Sequence, residues 1–238
     1  MNATNSENTF TPFDSSQLER YRRELGQAGI FKHMEQCRRE FDDLVEGYTA
    51  RGYRYGFGAL TEAAATQLYG VVREFRPLRM VETGVCNGVS TLVILAALER
   101  NGDNGRLWSI DLPEEAGKEY PEGYFWKGKR GAAVPPGRQP GWILPDSLRQ
   151  RWQFVLGRSQ EVLPGVLEEV GELDMFFHDS EHSPECMSFE YRCAWPRLDA
   201  GGVLLSDDTN WNSAFSEFAE LVNRPIARLS RGLAFVVK

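Results

Sequence analysis

Residues 79–111 read RMVETGVCNGVSTLVILAALERNGDNGRLWSID, a strand, a glycine turn, a helix and a second strand. Met80 and Val81 carry an apolar run into Glu82-Thr83-Gly84-Val85-Cys86-Asn87-Gly88, where two glycines let the backbone turn sharply and approach a ligand closely. The pattern predicts a helix from about Ser90, with Thr91, Leu92, Ile94, Leu95 and Leu98 on its apolar face and Asn101-Gly102 as its stop. Residues 107–110 form the next strand, and Asp111 sits at its carboxyl end. In a parallel α/β sheet ligands bind at that end, and a carboxylate there can accept both hydroxyls of a ribose.

Composition sets the scale around this unit. The 238 residues, 42% of them hydrophobic, allow one well-buried α/β domain with a decorated end, not a second full domain. With 34 acidic against 27 basic residues the formal net charge is -7, which gives no reason to expect a nucleic-acid surface. No apolar run approaches the roughly 20 residues a membrane helix needs, and the polar start MNATNSENTFTPFDSS has no signal-peptide core. A cytoplasmic protein with no membrane partner is expected. Cys37, Cys86, Cys186 and Cys193 form no CxxC pair, so they read as reduced, mostly buried thiols, and three histidines argue against zinc chemistry.

Upstream, residues 1–14 have the polar character of a terminal arm, able to order over a ligand or to fray. Leu18, Tyr21, Leu25, Ile30, Phe31, Met34, Cys37, Phe41, Leu44 and Val45 recur at helical spacing, which predicts one or two helices. Together, residues 1–60 are expected to form an arm and helical cap, through which subunits of a homo-oligomer could pair. A glycine and aromatic link over 51–58 leads to a helix over 61–75, capped by Thr61 and stopped before Pro77. Residues 61–238 then form the main domain. Downstream, residues 112–148 carry six prolines and the aromatics Tyr120, Tyr124, Phe125, Trp126 and Trp142. A connection this long is normally a functional lid or disordered, and its aromatic content favours a lid over the ligand end. Strands follow at 152–156, 173–178 and 203–206, with helices at 161–170, 184–195 and 215–222, and a closing hairpin at 227–230 and 233–237. Five strands alternating with helices and then two more imply a doubly wound, mostly parallel seven-stranded sheet with a C-terminal antiparallel hairpin.

The spacing G-x-x-x-G of Gly84 and Gly88 lacks the G-x-G-x-x-G order of a nicotinamide or flavin site, and no phosphate-loop motif is present. An acid two residues before the first glycine and another ending the second strand resemble the class I S-adenosylmethionine-dependent methyltransferases. That resemblance runs from about Thr61 to the C-terminus and implies a Rossmann-like methyltransferase fold. Carried over, it implies that Glu82, Gly84 and Gly88, with Ser90 opening the helix, shape the methionine side of the cofactor pocket. It also implies that Asp111 holds the ribose hydroxyls and that Ser159 borders the adenine. Cys86 stands where the fuller E-x-G-x-G-x-G form has its middle glycine.

A second constellation lies beyond later strand ends. Asp179, His182, Asp207 and Asp208 can converge there, and three carboxylates brought together repel one another unless a cation sits among them. Hard oxygen ligands with room for water suit magnesium. The segment HDSEHSPECMSFEYRCAWPRLDAGGVLLSDDTNWN resembles metal-dependent small-molecule O-methyltransferases, most nearly the macrocin-type sugar O-methyltransferases of antibiotic (natural-product) pathways. The catechol-type enzymes share the layout but carry lysine and asparagine where this chain has His182 and Asp208. The expected chemistry is therefore methyl transfer from S-adenosylmethionine to a hydroxyl of a small molecule. Magnesium held by Asp179, Asp207 and Asp208 would lower the hydroxyl's pKa, and His182 would take the proton, with Asp179 also serving the cofactor and catalysis. Phe125, Trp126, Trp142 and Trp211 are the expected acceptor contacts. Two alternatives stand beside it: a metal-free site for an amine acceptor, which Trp211 and Asn212 would face, and a non-catalytic cofactor-binding protein. A nicotinamide-dependent oxidoreductase is disfavoured by the glycine spacing.

Overall fold

A computed structural model of the chain describes residues 9–49, 52–58, 60–115, 118–132 and 134–238. Its elements, in chain order, are β1 (Thr9–Phe10), α1 (Ser15–Gln27), α2 (Ile30–Thr49), β2 (Arg54–Tyr55), α3 (Glu62–Phe75), β3 (Arg79–Thr83), α4 (Val89–Asn101) and β4 (Arg106–Asp111). They continue with β5 (Gly131–Ala132), α5 (Asp146–Arg149), β6 (Trp152–Leu156), α6 (Ser159–Val170), β7 (Leu173–His178), α7 (Pro184–Ala194), β8 (Leu198–Ser206), α8 (Ala214–Leu221), β9 (Ile226–Arg228) and β10 (Ala234–Val237).

The main sheet has the order β6-β4-β3-β7-β8-β10-β9-β1. β3, β4, β6, β7 and β8 are parallel, and β10 runs antiparallel to both neighbours, β8 and β9. The seven strands expected from the sequence are therefore present with their reversed C-terminal pairing, and only β10 is reversed. An eighth, two-residue strand was not foreseen: β1 adds in parallel to β9, pairing Thr9 with Ile226 and Phe10 with Ala227. The first eight residues of the terminal arm lie outside the described residues. A separate two-stranded ladder joins β2 to β5 and ties the glycine and aromatic link to the long connection.

Strand alternation splits the core in two. Met80, Leu107, Met175, Phe177, Val203 and Leu205 face a layer that includes α1 to α4; Val81, Ile110, Phe176 and Leu204 face α6, α7 and α8. β3, β7 and residues 203–206 of β8 are largely buried on both faces, which is why they read as apolar runs rather than alternating ones, whereas β6 at the sheet edge is partly exposed. Tyr21, Leu25, Ile30, Phe41 and Val45 of α1 and α2 belong to the first of these cores, so the N-terminal helices share the main domain's interior. Local signals fix the element ends. Asp14 accepts from Ser16 N and Gln17 N in a capping box on α1, and Thr61 Oγ1 accepts from Ala64 N at the start of α3. β8 starts at Leu198 rather than at the expected residue 203, because the residues before it, Gly201 and Gly202 included, join the strand through an irregularity in its register with β7.

Candidate active site

The strand ends on one side of the sheet converge on two adjoining cavities. The first, about 220 Å³, is lined by Gly84, Val85 and Cys86 after β3, by Asp111 to Pro113 after β4, and by Gly157 to Gln160 after β6. Asp179 to Glu181 after β7 and Tyr124 to Trp126 of the long connection complete it. The second, about 230 Å³, is lined by Phe57, Gly58 and Leu60, by Gly84 to Asn87, Val89 and Ser90, and by Asp179, His182, Asp207 and Asp208. The two share Gly84, Val85, Cys86 and Asp179. This position, outside the carboxyl ends of the strands, is where open α/β sheets bind ligands.

The glycine turn is set by backbone, not side chains. Gly84 has φ +88, and a Cβ there would lie 1.9 Å from the carbonyl oxygen of Asp179, so only glycine lets the β3 and β7 ends touch. Gly88 caps α4 at φ +99 and its bare face meets Gly141 of the long connection, away from both cavities. Between them Cys86 takes φ +53 without being glycine, a strain of order 1–3 kcal/mol. Its N–H donates to Asp111 Oδ2 at 2.8 Å, so the turn keeps a left-handed residue where the fuller motif has its middle glycine.

Glu82 stands behind this turn. It is fully buried, its carboxyl receiving Ser90 Oγ (2.7 Å), Thr91 Oγ1 (2.8 Å) and Ser109 Oγ (2.7 Å), and it lines neither cavity. Burial pushes its pKa up to about 7 against the pull of those three hydroxyls. Asp111 does line the first cavity, and burial raises it to about 6 despite main-chain donors from Cys86, Val85 and Leu112. Ser159 lines the same cavity from the first turn of α6. Ser90 reaches the second cavity's wall while donating to Glu82.

Asp179, His182, Asp207 and Asp208 do converge, all on the second cavity. Burial, then Asp207, Glu82, Asp208 and Asp111 in turn, push Asp179 well above its ordinary value. Burial raises Asp207, and burial followed by Asp207 raises Asp208 to about 6. His182 Nε2 lies 3.4 Å from Asp208 Oδ2. Burial, then His178, lowers the His182 imidazole to about 4, which leaves it neutral around pH 7. Asp208 takes φ +50, so two of the four non-glycine residues with positive φ among the described residues, Cys86 and Asp208, lie in the site, where strain concentrates. Among the described residues no group of three or more His, Cys, Asp or Glu side chains is gathered so as to hold a metal ion. Asp179, Asp207 and Asp208 share one wall of the second cavity without being gathered into a ligand group as they stand.

The aromatics expected to contact an acceptor divide. Phe125 and Trp126 line the first cavity, with Trp126 Nε1 donating to Leu112 O at 2.7 Å. Trp142 lines neither; its Nε1 donates to Asn87 Oδ1 at 2.7 Å while the ring packs on the core. Trp211 is 66% exposed and stands edge-on to His182, ring centroids 5.2 Å apart, outside both linings. Asn212 lines neither cavity, and its amide donates to His182 O at 3.0 Å.

The long connection therefore has two parts. Residues 118–129 form a flap over the first cavity, pinned where Arg158 stacks on Tyr124 (4.3 Å) and reaches Gly123 O (3.1 Å). Residues 134–148 are a buried wedge instead of a lid: Gly141 N donates to Cys86 O, Ile143 O meets His33 Nε2 at 2.7 Å, and Ile143 and Leu144 are core.

Several site residues carried no motif in the sequence. Arg158, Gln160 and Glu181 line the first cavity and Phe57 and Leu60 the second. Beneath both lies Glu190 of α7, fully buried. Its neighbours on the inward stripe are Cys186, Met187, Tyr191 and Ala194, a helical spacing that marks Glu190 as an acid on an apolar face. Burial raises its pKa, but His178 and several hydrogen bonds outweigh that and leave the carboxyl below its ordinary value.

Residues 81–209 match a family model described as a methyltransferase domain. Among solved structures, the O-methyltransferase NovP is 16% identical over 76% of this chain and 83% of its own, with a TM-score of 0.58. SAH-bound Podospora anserina methyltransferase PaMTH1 is 14% identical over 95% and 97%, TM-score 0.54. The O-methyltransferase from Bacillus cereus in complex with SAH is 14% identical over 95% and 93%, TM-score 0.51. At these identities the likeness is one of fold. A search of curated proteins finds no match.

Proposed function

Because this chain belongs to the methyltransferase-domain family, we propose that it carries a methyl group from S-adenosylmethionine to a hydroxyl of a small-molecule acceptor. The observation that carries the reading is the pair of cavities meeting at Gly84, Val85, Cys86 and Asp179. A donor bound in one and an acceptor in the other would face each other across that shared wall.

The first cavity suits the donor. Asp111 at the end of β4 offers its carboxylate to the ribose, Ser159 borders the adenine under the aromatic flap, and the Gly84 turn leaves main chain open to the methionine side. Glu82 acts from behind, holding Ser90, Thr91 and Ser109. The cofactor, when bound, supplies an activated sulfonium methyl. The chain's part is to present a nucleophilic oxygen in line with it, where orientation contributes most of the acceleration.

In the second cavity His182, neutral around pH 7, accepts the hydroxyl proton. Asp208, 3.4 Å from its Nε2, orients the ring and stabilises the imidazolium that forms. Asp179, held toward its protonated form by burial and its acidic neighbours, can donate a hydrogen bond to the acceptor. Phe57, Leu60, Val85 and Val89 give the pocket an apolar side, which a sugar ring face or an aryl ring could cover, in keeping with a natural-product acceptor.

A cation-assisted transfer is the second reading. It is favoured by three carboxylates on one wall, where Asp207 and Asp208 raise Asp179 and Asp207 raises Asp208. Since those side chains form no ligand group as they stand, no step is assigned to a metal.

The test begins with calorimetric titration of S-adenosylhomocysteine (SAH). Transfer of a labelled methyl from S-adenosylmethionine to a panel of sugars, phenols and amino sugars follows, with and without exhaustive chelation. A single SAH site and an O-methyl product that survives chelation are expected. Activity lost on chelation and restored by magnesium would install the second reading. An N-methyl product would replace the hydroxyl acceptor by an amine, and SAH binding without any transfer would leave a cofactor-binding protein.

A further inference from the structure

Glu190 touches neither cavity, yet three of the groups it binds, Thr83, His178 and Ser180, belong to the frame they share. Its Oε2 accepts from Thr83 Oγ1 at 2.5 Å and meets His178 Nδ1 at 2.6 Å. Its Oε1 accepts from Ser180 Oγ at 2.7 Å and from the Cys186 thiol at 3.5 Å. Thr83 is the residue before Gly84, and His178 and Ser180 are the residues on either side of Asp179. The main chains of these two segments are in direct contact. Asp179 N donates to Thr83 O at 2.8 Å, and the Asp179 carbonyl occupies the space that a Cβ on Gly84 would need. Asp207 N in turn donates to His178 O at 2.9 Å, which extends the frame to the end of β8.

We propose that Glu190 is the positioning residue for methyl transfer: one buried carboxylate, anchored on α7, sets the Gly84 turn of the donor cavity in register with Asp179 of the acceptor cavity. The inference rests on the methyl-transfer reading above. An ionised carboxylate can only accept, and it has enough lone-pair sites for four donors at once. Glutamine has the same shape but replaces one acceptor oxygen with a donor, so either the Thr83 and His178 side or the Ser180 and Cys186 side loses its partner. That loosens one strand end relative to the other without opening either cavity. A misplacement of about 1 Å between reacting atoms can cost about 100-fold in rate, whereas binding of each ligand to its own half is little changed.

The experiment uses full-length Glu190→Gln, with Thr83→Val and Ser180→Ala as milder variants that each remove one donor. For Glu190→Gln, SAH is expected to bind with unchanged stoichiometry and an affinity within about threefold of wild type. Its kcat should fall about 10- to 100-fold with KM for the acceptor changed by less than about threefold, and the milder variants should lose about three- to tenfold. Hydrogen exchange with SAH bound should quicken at the amides of Gly84 and Asp179. A purely structural role predicts a lower melting temperature and a smaller SAH-binding fraction, with kcat per bound site and exchange at these amides unchanged; that result overturns the proposal. If wild type itself transfers no methyl group, the methyl-transfer reading fails, and exchange at Gly84 and Asp179 still decides whether Glu190 sets the register.

Discussion

The two cavities are neighbours built on different principles. The first is made largely of backbone: the left-handed Gly84 and Cys86, the strand end at Asp111, and the start of α6 at Ser159, under a roof of Tyr124, Phe125 and Trp126. The second is made of side chains, His182 and three aspartates against Phe57, Leu60 and Val89. A backbone site is specified by the fold and suits a ligand common to many proteins of one architecture. A side-chain site can be rewritten by substitution without disturbing the sheet. On the proposed reading, chemistry and specificity are concentrated in the second cavity, while the first supplies the constant half.

The strongest way to sharpen this contrast is His182→Ala. Loss of a general base removes about 100- to 10,000-fold from kcat, and here it should leave SAH affinity within about twofold, because His182 lines only the second cavity. Equal loss of SAH binding, measured by calorimetry, would break the division.

Next in size is the pH dependence of stability through Glu82. Its carboxyl is raised to about 7 in the fold from about 4.3 in an unfolded chain. The folded protein therefore holds this proton more tightly than the unfolded one. The stabilisation is fully present below the unfolded value and is lost as pH rises through about 7. It amounts to about 4 kcal/mol over that window. Glu82→Gln, neutral at every pH, should flatten the decline of the ligand-free melting temperature between about pH 5 and 7.5. A variant whose decline parallels that of wild type would show that Glu82 does not titrate there.

The smallest effects test the aromatics. Trp126→Ala removes part of the first cavity's roof and should weaken SAH about tenfold. Trp211→Ala, at a rim exposed to solvent, should leave SAH affinity unchanged and raise the acceptor KM about threefold. Reversed outcomes in the same titrations would exchange the two roles.

Much of this was legible in the chain. The run 79–111 announced β3, its turn, α4 and β4 because apolar patterning, glycine and a helix stop coincide there, and β6 and β7 matched their expected bounds. The convergence of Asp179, His182, Asp207 and Asp208 also followed from strand ends alone. Side-chain direction was not legible. Glu82 precedes the turn in sequence, yet strand alternation aims it at Ser90, Thr91 and Ser109. The prolines and tryptophans of 112–148 gave no hint that half of the segment would be a flap and half a buried wedge, since that depends on α2 supplying His33 and Glu40 across the fold. Glu190 left only a weak trace, an acid on the apolar stripe of α7. No local pattern says which side chains such an acid will bind.

The short strand at the sheet's far edge has a consequence for biosynthesis. Thr9 pairs with Ile226 and Phe10 with Ala227, so β1 cannot take its place until the much later β9 has been synthesised. Domains generally fold as units while the chain emerges at roughly 5–20 residues per second. During that interval neither partner can form its native edge pairing. β9 and β10 also follow β8 in synthesis, so β8 stays an open edge until β10 has emerged. Completion of this sheet therefore waits on its last strands, and until then the waiting edge of β8 is open to wrong pairing.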